Sequence, residues 1–117
     1  MAASVKLLLD QLDTKLSSIE FAEIIAFIDT HYEFKETAFA NGGVVNKAGE
    51  NSGSCKVFSF ALLHNLTETQ TLGLFAEHYR DAVALNPDGE DHQNIRQFIR
   101  TGFAGLTFSD TPLKPLS

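Results

Sequence analysis

The residues best suited to chemistry lie where a glycine-containing polar stretch, residues 41–53, runs into an apolar segment. The chain's single cysteine, Cys55, follows Gly53 and Ser54 at this junction, where the sequence predicts the start of a helix. The first N–H groups of a helix lack intrahelical partners and carry partial positive charge, which favours a thiolate or a bound anion. Residues 52–56 are therefore the first candidate site, either for a nucleophile or for anion binding.

Catalysis by Cys55 would need a nearby base, and His64, His78 and His92 are the candidates. The tripeptide that ends at Cys55 partly resembles the nucleophile region of papain-like proteases. In that family, however, the histidine lies roughly 130 to 150 residues after the cysteine, a separation that this chain cannot contain. A small buried thiol is the other interpretation, because cysteine is among the most buried residue types.

His64 shares an apolar stripe with Val57 and Phe60, so its spacing predicts a packed, hydrogen-bonded histidine near the end of a helix. The other histidines have carboxylates nearby in the sequence. None of them shows a recognised metal-ligand spacing. We therefore predict neither a metal site nor a cofactor.

His92, Arg96 and Arg100 follow one another at four-residue intervals and would form a basic ridge on one face of a helix. One interpretation is a solvated surface paired with neighbouring carboxylates, which is the usual state of surface charge. The other is a site for an anion or a peptide carboxylate, because arginine offers paired hydrogen bonds. If the ridge meets the glycine-containing loop, a pocket for a small anion or a protein partner would be bordered by Ser52, Gly53, Ser54, Lys56, His92, Arg96 and Arg100.

The composition indicates one compact domain over residues 1–117, without a linker. A chain of 117 residues typically has a single core, and a hydrophobic content of 44% with ten phenylalanines is enough to fill it. The formal net charge of -6 opposes binding to nucleic acid. No apolar run is long enough to span a membrane or to act as a signal peptide, so we expect a soluble, cytoplasmic protein without a membrane partner.

Periodicity and capping signals predict a helix-dominated α+β fold, with two or three short strands around a buried central helix. Capping boxes are predicted at Ser17 with Glu20 and at Thr67 with Gln70, and Gly102 is placed to end the last helix. The strands are predicted within residues 32–46 and 106–109. The five helices are predicted at residues 4–16, 18–31, 54–66, 67–85 and 91–101, and the third of them is the buried one.

Three motifs occur in a fixed order along the chain: IDTHY at 28–32 leading to TAF at 37–39, NSGSCK at 51–56, and DHQNIR at 91–96 followed by TG at 101–102. In this the chain resembles the HopJ type III effector family over nearly its full length. The resemblance implies a small α/β domain and a family named from a candidate effector of a plant-pathogenic bacterium, but no established activity. Secretion into a host cell is expected only if the effector resemblance is functional. We therefore expect a binding or interaction domain with an anion-tolerant pocket at the glycine-containing loop. The alternative is a cysteine-dependent hydrolase or transferase that uses Cys55.

Overall fold

The computed structural model describes residues 20–83, 88–89 and 92–116. The first predicted helix, residues 4–16, lies outside the described residues. The described elements, in chain order, are α1 (Phe21–His31), β1 (Tyr32–Phe34), β2 (Phe39–Asn41), β3 (Val44–Asn46), α2 (Ser52–Leu63), α3 (Glu68–Leu74), a π-helical segment (His78–Val83), α4 (Gln93–Thr101), a 3-10 turn (Gly102–Gly105), β4 (Leu106–Phe108) and β5 (Leu113–Pro115).

Helix α2 forms the centre of the core, as the sequence predicts. Its fully buried residues include Val57, Phe58, Phe60 and Ala61. The ring centroid of Phe58 lies 6.2 Å from that of Phe39, 5.3 Å from that of Phe75 and 5.0 Å from that of Phe98. Because these rings come from a strand and two helical regions, this one helix holds both parts of the α+β fold together.

Helix α1 begins at Phe21, after the start predicted at residue 18. Its N-cap is Glu20, and Glu20 and Glu23 form a reciprocal capping box. The backbone N–H of Phe21 also donates a hydrogen bond of 2.6 Å to Glu77 Oε1. A local box and a side chain from a distant segment therefore set this helix start, in place of the box predicted at Ser17, which lies outside the described residues.

The single helix predicted over residues 67–85 is wrong. Helix α3 starts with the predicted capping box of Thr67 and Gln70, but ends at Leu74. Ala76 then takes a left-handed conformation with φ 53°, and the chain continues as the π-helical segment. The apolar periodicity runs through this break, because Phe75 and Ala76 are themselves buried in the core.

Among the described residues, two small antiparallel sheets complete the fold, and they contain five short strands where the sequence predicts two or three. One sheet pairs β1 with β5, and the other has the order β3-β2-β4. Strand β5 is easily missed because it ends in proline, which cannot donate to a ladder and is unfavourable in strands. Helix α4 starts later than predicted, at Gln93, and Gly102 ends it with a positive φ of 60°.

Candidate functional site

A cavity of about 450 Å³ lies where the starts of α2 and α4 meet α1 and the π-helical segment. Gly53 and Ser54 contribute from α2, and Asn94 and Ile95 from α4. Phe21 contributes from α1. The cavity therefore joins two of the three motifs that the sequence singled out, the one at 51–56 and the one at 91–96.

Two of the helices that start at the cavity, α2 and α4, have unusual N-caps. An N-cap residue normally has an extended backbone, and those of α1 and α3 do. The N-caps of α2 and α4, Asn51 and His92, are instead left-handed, with φ 50° and 51°, and neither caps its helix with a side-chain hydrogen bond. Both of these residues line the cavity. The backbone N–H groups at the start of α2 are therefore left without a side-chain cap, next to the open space.

Backbone strain is concentrated at this cavity. Four non-glycine residues in the described chain have positive φ, and three of them lie here or beside it: Asn51, Ala76 and His92. Ala76 sits between Phe75 and His78, which both line the cavity. A left-handed non-glycine residue costs about 1 to 2 kcal/mol and persists where the surrounding structure enforces it, often at functional sites. The cavity is thus the place where this fold accepts unfavourable backbone geometry.

Four rings form one continuous row along the cavity, which we call the aromatic row: Phe75, Phe21, His78 and His92. The ring planes of Phe75 and Phe21 are 4° apart, with centroids separated by 6.0 Å. The next centroid separations are 4.7 Å, from Phe21 to His78, and 4.8 Å, from His78 to His92. All four residues line the cavity. The spacing of His78 and His92 along the chain does not predict that the two rings meet.

Gly53 permits α1 to approach the start of α2. A Cβ atom at this position would lie 3.1 Å from two ring atoms of Phe21, which is tighter than an ordinary contact. The close approach of Phe21, and not the backbone angles of Gly53, therefore favours glycine at this position.

A cluster of three buried asparagines, which we call the amide cluster, fixes α4 against the β2–β3 hairpin. Asn94 Oδ1 accepts hydrogen bonds from Asn41 Nδ2 at 3.2 Å and Asn46 Nδ2 at 3.3 Å, and Asn94 Nδ2 donates to Asn46 Oδ1 at 3.0 Å. Asn51 Nδ2 joins the cluster with a bond of 2.6 Å to Asn46 Oδ1. Sequence reasoning missed this cluster, although asparagine at strand positions, where it is normally depleted, was a usable signal.

Cys55 is placed as a structural residue. Its side chain is 1% exposed, and Sγ donates to the carbonyl oxygen of Thr37 at 3.8 Å. Burial raises the pKa of the Cys55 thiol, and a hydrogen bond with Ser59 only partly offsets that effect. A nucleophilic cysteine needs access and a lowered pKa, so this geometry does not favour the reactive thiolate.

His64 lies at the opposite end of α2 from the cavity. Its Nε2 hydrogen-bonds the hydroxyl of Tyr32, and its ring centroid is 4.8 Å from that of Phe60. Burial lowers the pKa of His64 and raises that of Tyr32. His64 is therefore the packed, hydrogen-bonded histidine that its stripe predicts.

The cations predicted to border the pocket are dispersed. Lys56 Nζ lies 2.8 Å from Asp29 Oδ1 and 4.9 Å from the ring centroid of Phe34, away from the cavity. Arg96 is buried, with 7% of its surface exposed, whereas Arg100 is exposed. The three residues of the predicted basic ridge differ in environment, because His92 precedes α4 as its N-cap, Arg96 is buried and Arg100 is exposed. Of the predicted residues, the structure brings Gly53, Ser54 and His92 to the cavity, and Ser52 lies in the same first turn of α2.

The side chain of Glu77 binds the start of α1. Burial alone would raise its pKa, but hydrogen bonds from the N–H groups of Phe21 and of Glu77 itself, together with the charges of His78 and Arg80, bring the pKa below its ordinary value. A charged Glu77 next to His78 therefore holds the N-terminus of α1 at the cavity.

In the described residues, no three His, Cys, Asp or Glu side chains are grouped closely enough to hold a metal ion. None of the helices in that part of the chain is both long and apolar enough to cross a membrane.

The fold and site define a small α+β domain with a polar, ring-lined cavity between two helix starts. The chain belongs to the HopJ type III effector protein family, whose model matches residues 5–113. The structure is similar to one described as the crystal structure of unknown function protein VPA0580, with 43% sequence identity and a TM-score of 0.88 over 94% of this chain and 92% of that one. A comparison with curated proteins finds no match. The family that the three motifs predicted is thus confirmed.

Proposed function

We propose that this HopJ domain is a binding module that holds a small phosphate- or carboxylate-bearing ligand in the cavity at the start of α2. The observation that carries the proposal is the convergence of the uncapped start of α2 with His78 and His92 on one cavity of about 450 Å³. Cavities of roughly 300 to 1,000 Å³ with a few polar groups are typical of small-molecule sites.

The electrostatic argument depends on where positive charge is available. The chain carries a formal net charge of -6, so its surface as a whole repels anions. At the cavity, Gly53 and Ser54 present the positive end of the α2 dipole, and an imidazole donates hydrogen bonds and becomes cationic when protonated. Anion binding would therefore be local, with its donors supplied by backbone N–H groups and histidines rather than by the predicted arginines.

Rigidity supports a binding role. The amide cluster joins the hairpin, the α4 start and Asn51 through buried hydrogen bonds. Such a network holds both helix starts in one geometry before any ligand arrives, which lowers the entropy cost of binding. The left-handed N-caps are then strained positions that the surrounding structure maintains around a site.

The direct test is a titration with inorganic phosphate and with acetate, followed by NMR at neutral pH. We expect the amide signals of Gly53 and Ser54 and the ring signals of His78 and His92 to shift together in a saturable manner. His92→Asn should weaken this response, because asparagine tolerates the left-handed backbone but supplies no imidazole. His64→Gln is the matched control and should leave it unchanged. Shifts spread over exposed lysines and equal in all three proteins would contradict the proposal.

We further propose that the domain acts in a cytoplasm, either that of the bacterium or, as the family's description suggests, that of a host cell. A single buried thiol and no disulfide partner suit a reducing compartment. Fusion to a reporter enzyme that is active only in host cytoplasm tests the second location. A signal that requires the type III apparatus would support secretion, and a signal confined to the bacterium would oppose it.

A further inference from the structure

The four rings of the aromatic row are the most distinctive feature of the cavity, and anion binding alone does not explain them. We propose that the ligand is a mononucleotide, with a planar nitrogen heterocycle stacked on the aromatic row and a phosphate at the start of α2. The phosphate half of this inference rests on the proposed function. The heterocycle half rests on the rings and on the hydrogen-bonding groups beside them.

The rings provide a stacking surface. Phe21, His78 and His92 line the cavity and are each only partly buried, while the buried Phe75 stacks on Phe21. Bases stack on phenylalanine and histidine side chains through their π faces, largely independently of base identity. A saturated ligand would gain nothing comparable from a row of this kind.

Polar groups next to the row suit the edge of a heterocycle. Asn51 turns its amide nitrogen to Asn46 Oδ1, which directs its own Oδ1 acceptor elsewhere, and Asn51 is exposed at the cavity. Ser54, which also carries a hydroxyl, lines the cavity from the first turn of α2. An acceptor and a hydroxyl match the exocyclic amino groups and ring nitrogens of a base, whereas a hydrocarbon ring would leave them unused.

The charge of the chain selects a free nucleotide over a nucleic acid strand. Binding along a strand needs a track of cations for successive phosphates, and the formal net charge here is -6. Lys56, the cation nearest in sequence to the α2 start, is paired with Asp29 instead of facing the cavity. One phosphate can be held by the helix start and imidazoles, but a chain of phosphates cannot.

The experiment compares four probes by calorimetry and NMR at the same salt concentration: inorganic phosphate, ribose phosphate, adenosine and adenosine monophosphate. We expect adenosine monophosphate to bind roughly tenfold more tightly than ribose phosphate, the gain that stacking one base gives. The base should also shift the ring signals of His78 and His92 through its ring current. Equal affinity of ribose phosphate and adenosine monophosphate would overturn this inference while leaving anion binding intact. If none of the four probes binds, both proposals fail.

Two variants on α1 test whether the base stacks on the aromatic row. Phe21→Leu keeps an apolar side chain but removes a ring of the aromatic row, so the affinity for adenosine monophosphate should fall several-fold. Phe27→Leu is the matched control, because Phe27 packs against His31 and Phe60 on another face of the same helix. His78→Gln removes a second ring of the row and provides an independent test if Phe21→Leu folds poorly. Equal affinity in all of these proteins would contradict stacking on the row.

Discussion

Histidines lie near both ends of α2, and their environments at the two ends are opposite. At the C-terminal end, His64 is enclosed by Tyr32 and Phe60, hydrogen-bonded, and shifted by burial toward its neutral form. At the N-terminal end, His78 and His92 contact each other and line a cavity. The first arrangement serves packing, whereas the second leaves imidazole accessible to a ligand.

The backbone shows the same contrast. The C-terminal end of α2 is followed by a left-handed Asn65, which is an ordinary way for a helix to end. The N-terminal end begins with a left-handed Asn51, where an extended N-cap would be usual. A left-handed residue is therefore conventional at the C-terminal end of α2 and unusual as the N-cap at its other end.

The largest expected effect concerns the phenylalanines that pack at the two ends of α2. Phe58 packs against Phe75 of the aromatic row, whereas Phe60 packs against Tyr32 and His64. Each is fully buried, so Phe58→Ala and Phe60→Ala should both lower the free energy of unfolding by about 3 to 5 kcal/mol in urea denaturation. Only Phe58→Ala should also weaken ligand binding at the cavity. Equal loss of binding in both variants would mean that the two ends are not independent.

The next effect tests the amide cluster. Asn94→Ala removes the three buried side-chain hydrogen bonds that Asn94 makes with Asn41 and Asn46, so we expect a loss of about 2 to 3 kcal/mol in the free energy of unfolding. Gln97→Ala, in the following turn of α4, is the control and should stay within about 0.5 kcal/mol of the parent protein. A negligible effect of Asn94→Ala would show that the cluster does not hold the cavity in place.

Substitution by glycine should change the free energy of unfolding in opposite directions at two buried alanines. Ala76→Gly removes the penalty of a left-handed alanine and should raise the free energy of unfolding by about 1 kcal/mol, provided that the small loss of packing does not cancel it. Ala61→Gly, within α2, should lower it by about 1 kcal/mol, because glycine disfavours a helix interior. Thermal unfolding of the two variants measures both. Destabilisation by Ala76→Gly would argue against strain at the cavity.

The smallest effect is the pH dependence of the packed histidine. Burial lowers the pKa of His64 in the folded state, so the unfolded chain binds more protons as the pH falls through the ordinary histidine range. The stability that His64 contributes is therefore present above that range and lost below it. Urea denaturation at neutral and mildly acidic pH should show a smaller decline for His64→Gln than for the parent protein. A parallel decline would mean that other groups account for the pH dependence.

The sequence by itself determined the features that depend on neighbours along the chain. The capping box of Thr67 and Gln70, the apolar α2 and the positive φ of Gly102 follow from local hydrogen bonding, periodicity and the absence of a Cβ atom. Three short motifs predicted the family. Gly53 and Ser54 were predicted as part of the candidate site because a helix was expected to start there, and His92 was included for its spacing from Arg96 and Arg100.

Only the tertiary structure decided how those pieces combine. The meeting of His78 with His92, the burial of Arg96 and the amide cluster join residues far apart in the sequence, and no periodicity encodes such contacts. The break at Ala76 and the left-handed N-caps go against the backbone conformation that is usual at such positions, so the sequence pattern does not predict them. They persist because core packing and buried hydrogen bonds outweigh about 1 to 2 kcal/mol of backbone strain at each position.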